Sequence, residues 1–240
     1  MSAQATATKV DVDVRDRLAL VLDVDDLVAA TRLAKQMQPY FGIAKVGLEL
    51  FSAYGPDSVA ALADMGYDVF LDAKLHDIPN TVGKAARVLG AVGARYLTLH
   101  AFGGVDMLKA GVEGLTIGAE RAGLETPTAL AVTILTSDGD APPHILAKRV
   151  QIALEGGCGG IICAASDVTE AKQYAPRFTT VVPGIRLAGT DSHDQARVAT
   201  PADAIDSGAD ILVIGRTVTE ADDPIAAAEA VTAEVRNALS

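Results

Sequence analysis

The chain has 240 residues, half of them hydrophobic and 4% aromatic, a composition that suits one large domain with an aliphatic core. Its net charge of −11 argues against a nucleic acid or an anionic membrane as partner, because both would require clustered Lys and Arg. The same charge does not exclude a small anionic substrate, since local side chains govern a buried site and distant surface charges are screened.

Eight short apolar runs alternate with helix-like segments along the chain, after a polar stretch over residues 1–12 that we expect to form a loose tail. Their near-continuous Val, Ile and Leu content is typical of strands buried on both faces. The predicted strands are residues 18–24, 43–49, 68–75, 95–102, 128–135, 159–165, 179–185 and 209–216.

The segments between these strands carry helix start signals. Asp25 and Asp26 can cap a helix whose apolar residues recur at helical spacing from Leu27 to Met37. Asp223-Pro224 is typical of an N-cap followed by proline in the first turn. Eight strands, each followed by a helix, predict an α/β protein with a single (β/α)8 TIM-barrel domain over residues 13–240, because an open doubly wound sheet usually has about five or six strands.

The sequence also predicts a soluble, cytoplasmic protein. The first residues lack the apolar stretch of a secretory signal, and the longest uncharged run, residues 126–137, is shorter than the roughly 20 residues of a membrane-spanning helix. Cys158 and Cys163 lie in or beside an apolar run, where buried thiols are the ordinary interpretation, and they indicate no disulfide framework.

Charged residues near the ends of the predicted strands locate the candidate active site. In a TIM barrel the active site lies at the C-terminal ends of the strands, and a charge late in an apolar strand is costly without a purpose. Asp23 ends the first run, Lys45 lies in the second, Asp72 and Lys74 end the third, and Arg216 ends the eighth.

The third strand suggests how these charges are arranged. Side chains alternate along a strand, so Phe70, Asp72 and Lys74 share the face that we expect to point into the barrel mouth. With Asp77 in the following loop and Lys45 on the neighbouring strand, an alternating Lys45–Asp72–Lys74–Asp77 array is plausible. The alternative is a structural salt-bridge cluster, which a single pair would favour. Charges on three consecutive strands favour a functional site.

These residues resemble a known family. The stretch DVFLDAKLHDIPNTV (68–82) is similar to the signature of orotidine 5'-monophosphate decarboxylases, and the resemblance extends over nearly the whole chain. Shorter matches are LALVLDVDD (18–26), AKVGLELF (44–51), AVTILTS (131–137), VVPGIR (181–186) and VIGR (213–216), in forms typical of the bacterial branch. The resemblance implies decarboxylation of orotidine 5'-monophosphate to UMP and CO2 in pyrimidine biosynthesis.

The resemblance also implies the catalytic roles. Lys74 resembles the proton donor to C6 of the pyrimidine, and Asp72 resembles the carboxylate beside the departing carboxylate. Lys45 resembles the lysine that hydrogen-bonds the ribose and orients Asp72. Asp77 and Thr81 match residues that enter the active site of the other subunit, which implies a homodimer with shared sites. No step requires a metal, flavin or pyridoxal.

Substrate-binding roles follow from the same resemblance. Asp23 matches an aspartate that holds a ribose hydroxyl, and Thr136 matches a contact to the pyrimidine edge. Gln195 and Arg216 match phosphate ligands, together with backbone N–H groups near Gly215. The polar segment 187–194 could close over the phosphate as a lid. Further candidate substrate-binding residues are Ile78, Pro183 and Arg186, of which Arg186 could equally be a surface charge beside the lid.

The histidines do not suggest a metal site. His100 ends the fourth strand and could face the site, but a hydrogen-bonded structural histidine is the simpler interpretation. His76, His144 and His193 are too scattered to predict a metal set.

Two rival functions remain open on this basis. Magnesium-dependent sugar-phosphate lyases or synthases of the same barrel group also use Asp-x-Lys-x-x-Asp, but they hold Mg²⁺ with acidic residues that include a glutamate on the second strand. This sequence has Lys45 there, which argues against that rival. A barrel that binds a phosphorylated ligand without turning it over is the second rival, and the intact Lys/Asp pattern argues against it.

Overall fold

The computed structural model describes residues 13–138, 141–142, 144–188 and 197–240. Within these residues, eight parallel strands form a closed barrel in sequence order, which confirms the predicted (β/α)8 TIM barrel. The strands are β1 (Leu18–Leu22), β2 (Ile43–Val46), β3 (Asp68–Leu75), β4 (Tyr96–His100), β5 (Thr128–Val132), β6 (Gly160–Ile162), β7 (Thr179–Val182) and β8 (Ile211–Ile214).

Helices surround the barrel, and the two predicted caps are present. The Asp26 carboxylate accepts a hydrogen bond from Val28 N at 2.9 Å, and that of Asp223 accepts two at 3.1 Å from the first turn of the last helix. Among the described residues, no helix is long and apolar enough to cross a membrane. The helices are α1 (Leu27–Met37), α2 (Leu48–Tyr54), α3 (Pro56–Asp64), α4 (Pro79–Gly90), α5 (Gly104–Ala122), α6 (His144–Glu155), α7 (Ala165–Tyr174), α8 (Pro201–Asp206), α9 (Arg216–Thr219) and α10 (Pro224–Ala238), with 3-10 turns at Val14–Arg17 and Ala101–Gly103.

The observed strands differ from the predicted ones mainly at their C-terminal ends. Except for β3, each strand ends two or three residues before the end of its apolar run. Some of the remaining residues leave the ladder and line the barrel mouth, as Asp23 and Ile134 do. Arg216, predicted to end the eighth strand, instead begins α9. An apolar run in the sequence does not show where a strand ends, because the residues that follow the strand can form the apolar wall of a pocket.

The barrel interior is filled with apolar side chains, which close the barrel below its mouth. Phe70 and Tyr96 meet edge-to-face there, with ring centroids 6.3 Å apart. The interior is therefore a packed core rather than a channel, and burying each of its large apolar side chains contributes roughly 1.5–3 kcal/mol. The buried residues of this inner cluster are Ala19, Ile43, Phe70, Leu130, Val132, Ile162, Val181, Ile211 and Val213.

Helices α4 and α5 approach each other so closely that their backbones touch. A Cβ at Gly118 would overlap the carbonyl oxygen of Arg87, and one at Gly114 would overlap that of Gly83. Only glycine permits this approach, because any side chain would force the two helices apart. α4 directly follows the segment with the predicted catalytic residues, so this contact helps to fix where that segment lies.

Candidate active site

A cavity of about 690 Å³ opens at the C-terminal end of the barrel. Val132 and Val213 of the inner cluster form part of its wall. Although the chain is acidic overall, the described residues place four basic and three acidic side chains around the cavity, which suits an anionic ligand. These charged residues are Lys45, Lys74, Arg186, Arg216, Asp23, Asp72 and Glu220.

Four of the predicted residues form a connected cluster. Lys74 Nζ lies 2.6 Å from Asp72 Oδ2, and Lys45 Nζ lies 3.7 Å from the same oxygen. Lys45 Nζ also donates a hydrogen bond to Asp23 Oδ1 at 3.3 Å. Lys45 is buried, Asp72 nearly so, and Lys74 about one-third exposed at its side chain, which leaves the Lys74 ammonium accessible from the cavity. The cluster therefore places an ammonium group beside a shielded carboxylate.

The end of β3 is irregular, and this irregularity positions Lys74. Leu71 pairs with Leu97 and Leu75 pairs with Leu99, so three residues of β3 oppose the single residue Thr98 of β4. Lys74 has a φ of 46°, in the left-handed region that residues other than glycine rarely adopt. Asp72 and Lys74 both line the cavity, as predicted, but the strict alternation from which we predicted this does not hold at Lys74.

Two residues of the cluster were not predicted from the sequence. Thr98 is completely buried on β4, where its hydroxyl donates to Asp72 Oδ1 at 2.9 Å and accepts from the backbone N–H of Lys74 at 2.8 Å. Gly47 follows β2 at a point where a Cβ would overlap Asp23 Oδ1 and lie 3.1 Å from Lys45 Nζ. Threonine is common in β-strands, so its presence in an apolar strand does not indicate a function. Only the pairing register of β3 and β4 shows that Thr98 lies opposite Asp72 and Lys74.

The structure does not bring Asp77, Ile78 and Thr81 into this cavity. All three are exposed, and Ile78 remains 65% accessible although it is a large hydrophobic residue. Asp77 Oδ1 accepts a hydrogen bond from Ile78 N at 2.6 Å, and within the part of the chain that the structure describes it joins no ion pair. The fourth member of the predicted array is thus separate from the other three in a single chain.

The predicted phosphate-binding residues lie where β7 and β8 end. Arg186 is only 7% exposed and lines the cavity, so it is not a surface charge. Arg216 and Gly215 line the same cavity from the end of β8, and Pro183 lines it from the end of β7. Thr136 lines it after β5. Gln195, His193 and most of the predicted lid at 187–194 lie outside the described residues.

Among the described residues, His100 and the two cysteines do not line the cavity. His100 Nδ1 accepts a hydrogen bond from Phe102 N at 3.2 Å, in agreement with a structural histidine. Burial lowers the pKa of His100, and the nearby His76, Arg149 and Lys74 lower it further. Burial also raises the pKa of the Cys158 thiol to about 12 and raises that of Cys163, so both remain protonated and are poor nucleophiles.

Comparison with known proteins identifies the same family that the sequence motifs resemble. A sequence model of the "Orotidine 5'-phosphate decarboxylase / HUMPS family" matches residues 16–231. An orotidine 5'-phosphate decarboxylase of Anaeromyxobacter sp. (strain K) is 45% identical over 221 residues, which cover 91% of this chain and 97% of that protein. One from Moorella thermoacetica is 41% identical over 233 residues, covering 92% of each chain.

A solved structure agrees in fold as well. The crystal structure of orotidine 5'-phosphate decarboxylase from Lactobacillus acidophilus superposes with a TM-score of 0.76 at 34% sequence identity, covering 92% of this chain and 99% of that one. The match to the family model includes all eight strands, both arginines of the cavity and the Asp-x-Lys-x-x-Asp segment. The chain therefore belongs to the orotidine 5'-phosphate decarboxylase family.

Proposed function

We propose that this protein decarboxylates orotidine 5'-monophosphate to UMP and CO2 without a cofactor, with Lys74 as the proton donor to C6. The observation that carries the proposal is the Lys74 ammonium, which lies 2.6 Å from Asp72 at the mouth of a barrel of this family. Relatives that match this chain over more than nine-tenths of their length are named orotidine 5'-phosphate decarboxylases, which supports the substrate assignment. A cytoplasmic location is part of the proposal, and cell fractionation tests it.

The cluster of Lys74 and Asp72 supplies the charged groups that this reaction requires. Breaking the bond between C6 and the carboxylate releases CO2 and leaves the electron pair on C6, where no ring carbonyl is conjugated to receive it. An ammonium group aimed at C6 stabilises that charge electrostatically, and then transfers a proton to form the C6–H bond of UMP. Lys74 becomes a neutral amine in this step and regains its proton from solvent. Asp72 holds the ammonium in place before the reaction.

The phosphate of the substrate is assigned to the part of the cavity beyond the ends of β7 and β8. Arg186 and Arg216 carry guanidinium groups suited to bidentate phosphate contacts, and barrels often bind phosphate after strands seven and eight. We assign Gln195 and the backbone near Gly215 to the same phosphate. Asp23 and Lys45, which pair with each other at 3.3 Å, are assigned to the ribose hydroxyls. The residues assigned to the pyrimidine ring are Thr136 and Pro183.

A homodimer with shared active sites completes the proposal. Asp77, Ile78 and Thr81 are exposed in the single chain and do not line its cavity, although the family signature includes them. The exposed Ile78 and its polar neighbours at the rim of the barrel are accessible for contact with a second copy. We propose that this segment reaches the partner's active site across a two-fold axis.

The test of the activity is spectrophotometric. Orotidine 5'-monophosphate is added to the purified protein, and the loss of its ultraviolet absorbance is followed. We expect turnover by the wild type, and for Lys74→Ala a loss in kcat of at least about 10³-fold, since this group acts on charge that develops only in the transition state.

A second lysine provides the matched control. Lys172 pairs with Asp210 at the same 2.6 Å distance, but at the opposite end of the barrel and away from the cavity. Lys172→Ala should retain kcat even if it is less stable. A wild type without turnover, or a Lys74→Ala variant with near-normal turnover, would contradict the proposal.

A further inference from the structure

Thr98 makes two hydrogen bonds whose directions are fixed by chemistry. The Lys74 backbone N–H can only donate, so the Thr98 hydroxyl accepts from it, at 2.8 Å. The hydroxyl hydrogen is then left to be donated to Asp72 Oδ1 at 2.9 Å, because an ionised carboxylate only accepts. Thr98 therefore links the backbone of one catalytic residue to the side chain of the other.

The first consequence concerns the orientation of the Asp72 carboxylate. Its two oxygens have different partners: Oδ1 accepts from Thr98, whereas Oδ2 lies near both ammonium groups, 2.6 Å from Lys74 Nζ and 3.7 Å from Lys45 Nζ. The terminal torsion of an aspartate is otherwise broad and weakly fixed. By holding Oδ1, Thr98 keeps Oδ2 directed toward the two lysines.

The second consequence concerns the backbone of Lys74. Between the pairs Leu71–Leu97 and Leu75–Leu99 the β3–β4 ladder is interrupted, and Lys74 adopts its left-handed φ of 46° there. In this interruption the Lys74 N–H is bonded to a side chain rather than to a strand carbonyl. A buried N–H without a partner is costly, so the Thr98 hydroxyl stabilises the conformation that directs Lys74 into the cavity.

We propose that Thr98 is a positioning residue for decarboxylation, which sets the Asp72 carboxylate and the Lys74 ammonium relative to each other. Thr98 is completely buried and is not among the cavity-lining residues, so it acts through Asp72 and Lys74 and not on the substrate. This inference rests on the activity proposed above. Wild-type turnover is therefore measured first, and its absence would refute the activity itself rather than the role of Thr98.

The experiment compares Thr98→Val with Thr98→Ser. Valine has nearly the shape of threonine but cannot make either hydrogen bond, whereas serine retains the hydroxyl. A small displacement of catalytic groups costs up to about 100-fold in rate, so we expect Thr98→Val to lower kcat roughly 10- to 100-fold. We expect its KM and its Kd for UMP, measured by calorimetry, to change less than about threefold, because phosphate and ribose contacts remain. Thr98→Ser should recover most of kcat.

Thr180 provides a closely matched control. It is also completely buried in a strand, its hydroxyl donates to Asp210 Oδ2 at 2.9 Å, and it accepts from the Asp210 backbone N–H at 3.2 Å. That pair lies at the other end of the barrel, away from the cavity. Thr180→Val should therefore lower the melting temperature by an amount similar to Thr98→Val while its kcat remains within about twofold of wild type.

Three results would overturn the inference. One is a kcat of Thr98→Val within twofold of the wild type. Another is a Thr98→Ser variant that is as slow as Thr98→Val, and the third is equal kcat losses in Thr98→Val and Thr180→Val. If Thr98→Val does not fold, Thr98→Ala is compared with Thr98→Ser in the same way, and the hydroxyl must again separate the two in kcat and not in UMP binding.

Discussion

The proposed shared site predicts that two inactive variants restore each other. Lys74 lines the cavity of its own chain, whereas Asp77 is exposed and outside it. Lys74→Ala and Asp77→Ala homodimers should each be nearly inactive, because each would lack one member of the array in both sites. In a mixed dimer the consequence depends entirely on which chain supplies Asp77.

The expected recovery follows from two-fold symmetry. If Asp77 serves the partner's cavity, a mixed dimer has both lesions in one site and none in the other. Random remixing of equal amounts makes about half of the dimers mixed, so about a quarter of all sites are intact and activity per subunit should approach about a quarter of wild type. If Asp77 serves its own chain, every site in the mixed dimer has one lesion and nothing is recovered.

The assay requires complete subunit exchange. The two variants carry different affinity tags, are dissociated, mixed and reassembled, and the absorbance of orotidine 5'-monophosphate is followed for the whole mixture and for the isolated doubly tagged dimers. The isolated dimers should have about half of the wild-type activity per subunit, because one of their two sites is intact. As a control, Lys74→Ala is mixed with the Lys74→Ala/Asp77→Ala double variant, which cannot form an intact site in either arrangement. Isolated mixed dimers as inactive as their parents would refute the shared site, and so would a wild type that is active as a monomer in light scattering.

Three further predictions test the phosphate site, the independence from metals and the helix packing. Arg216→Ala should raise KM about 10- to 100-fold, as expected for loss of a charged hydrogen bond, while activity on the phosphate-free nucleoside stays at the wild-type level; equal losses on both substrates would remove Arg216 from the phosphate site. Activity should survive exhaustive chelation by EDTA, whereas a loss that Mg²⁺ reverses would favour the sugar-phosphate rival. Gly118→Ala should lower the free energy of unfolding by roughly 1–3 kcal/mol in urea denaturation, because its Cβ would overlap the Arg87 carbonyl oxygen, and the exposed Glu120→Ala on the same helix should not.

Much of the fold could be predicted from the sequence because the barrel repeats one pattern. Each buried strand is an apolar run, and Asp26 and Asp223 have the side chains that helix caps require. The C-terminal ends of the strands could not be predicted in the same way. There the chain leaves the ladder but stays apolar, since residues such as Ile134 form the wall of the cavity.

The candidate site was predictable only where a residue's chemistry is unusual for its place. Lys45, Asp72 and Lys74 are charges in apolar strands, so their cost in a buried strand points to a function. Thr98 and Gly47 have no such signal, because threonine is common in strands and glycine is common after them. Their importance depends on contacts between different strands, which a single sequence does not reveal.

The irregular end of β3 is unfavourable for stability, but it positions the proposed proton donor Lys74. A left-handed conformation at a residue such as Lys74 costs on the order of 1–3 kcal/mol, and the hydrogen bond that its backbone N–H donates to Thr98 offsets about 0.5–1.5 kcal/mol of it. A regular strand would avoid this cost, but it would turn the Lys74 N–H away from Thr98. Asp68 N–H bonds to Gly42 on the β2 side and the Val69 carbonyl bonds to Arg95 on the β4 side, so regular alternation would direct the Lys74 N–H toward β2. The chain thus retains a locally unfavourable backbone at the residue that we propose delivers the proton. Its persistence is explained by the ammonium that it directs to Asp72 and the cavity.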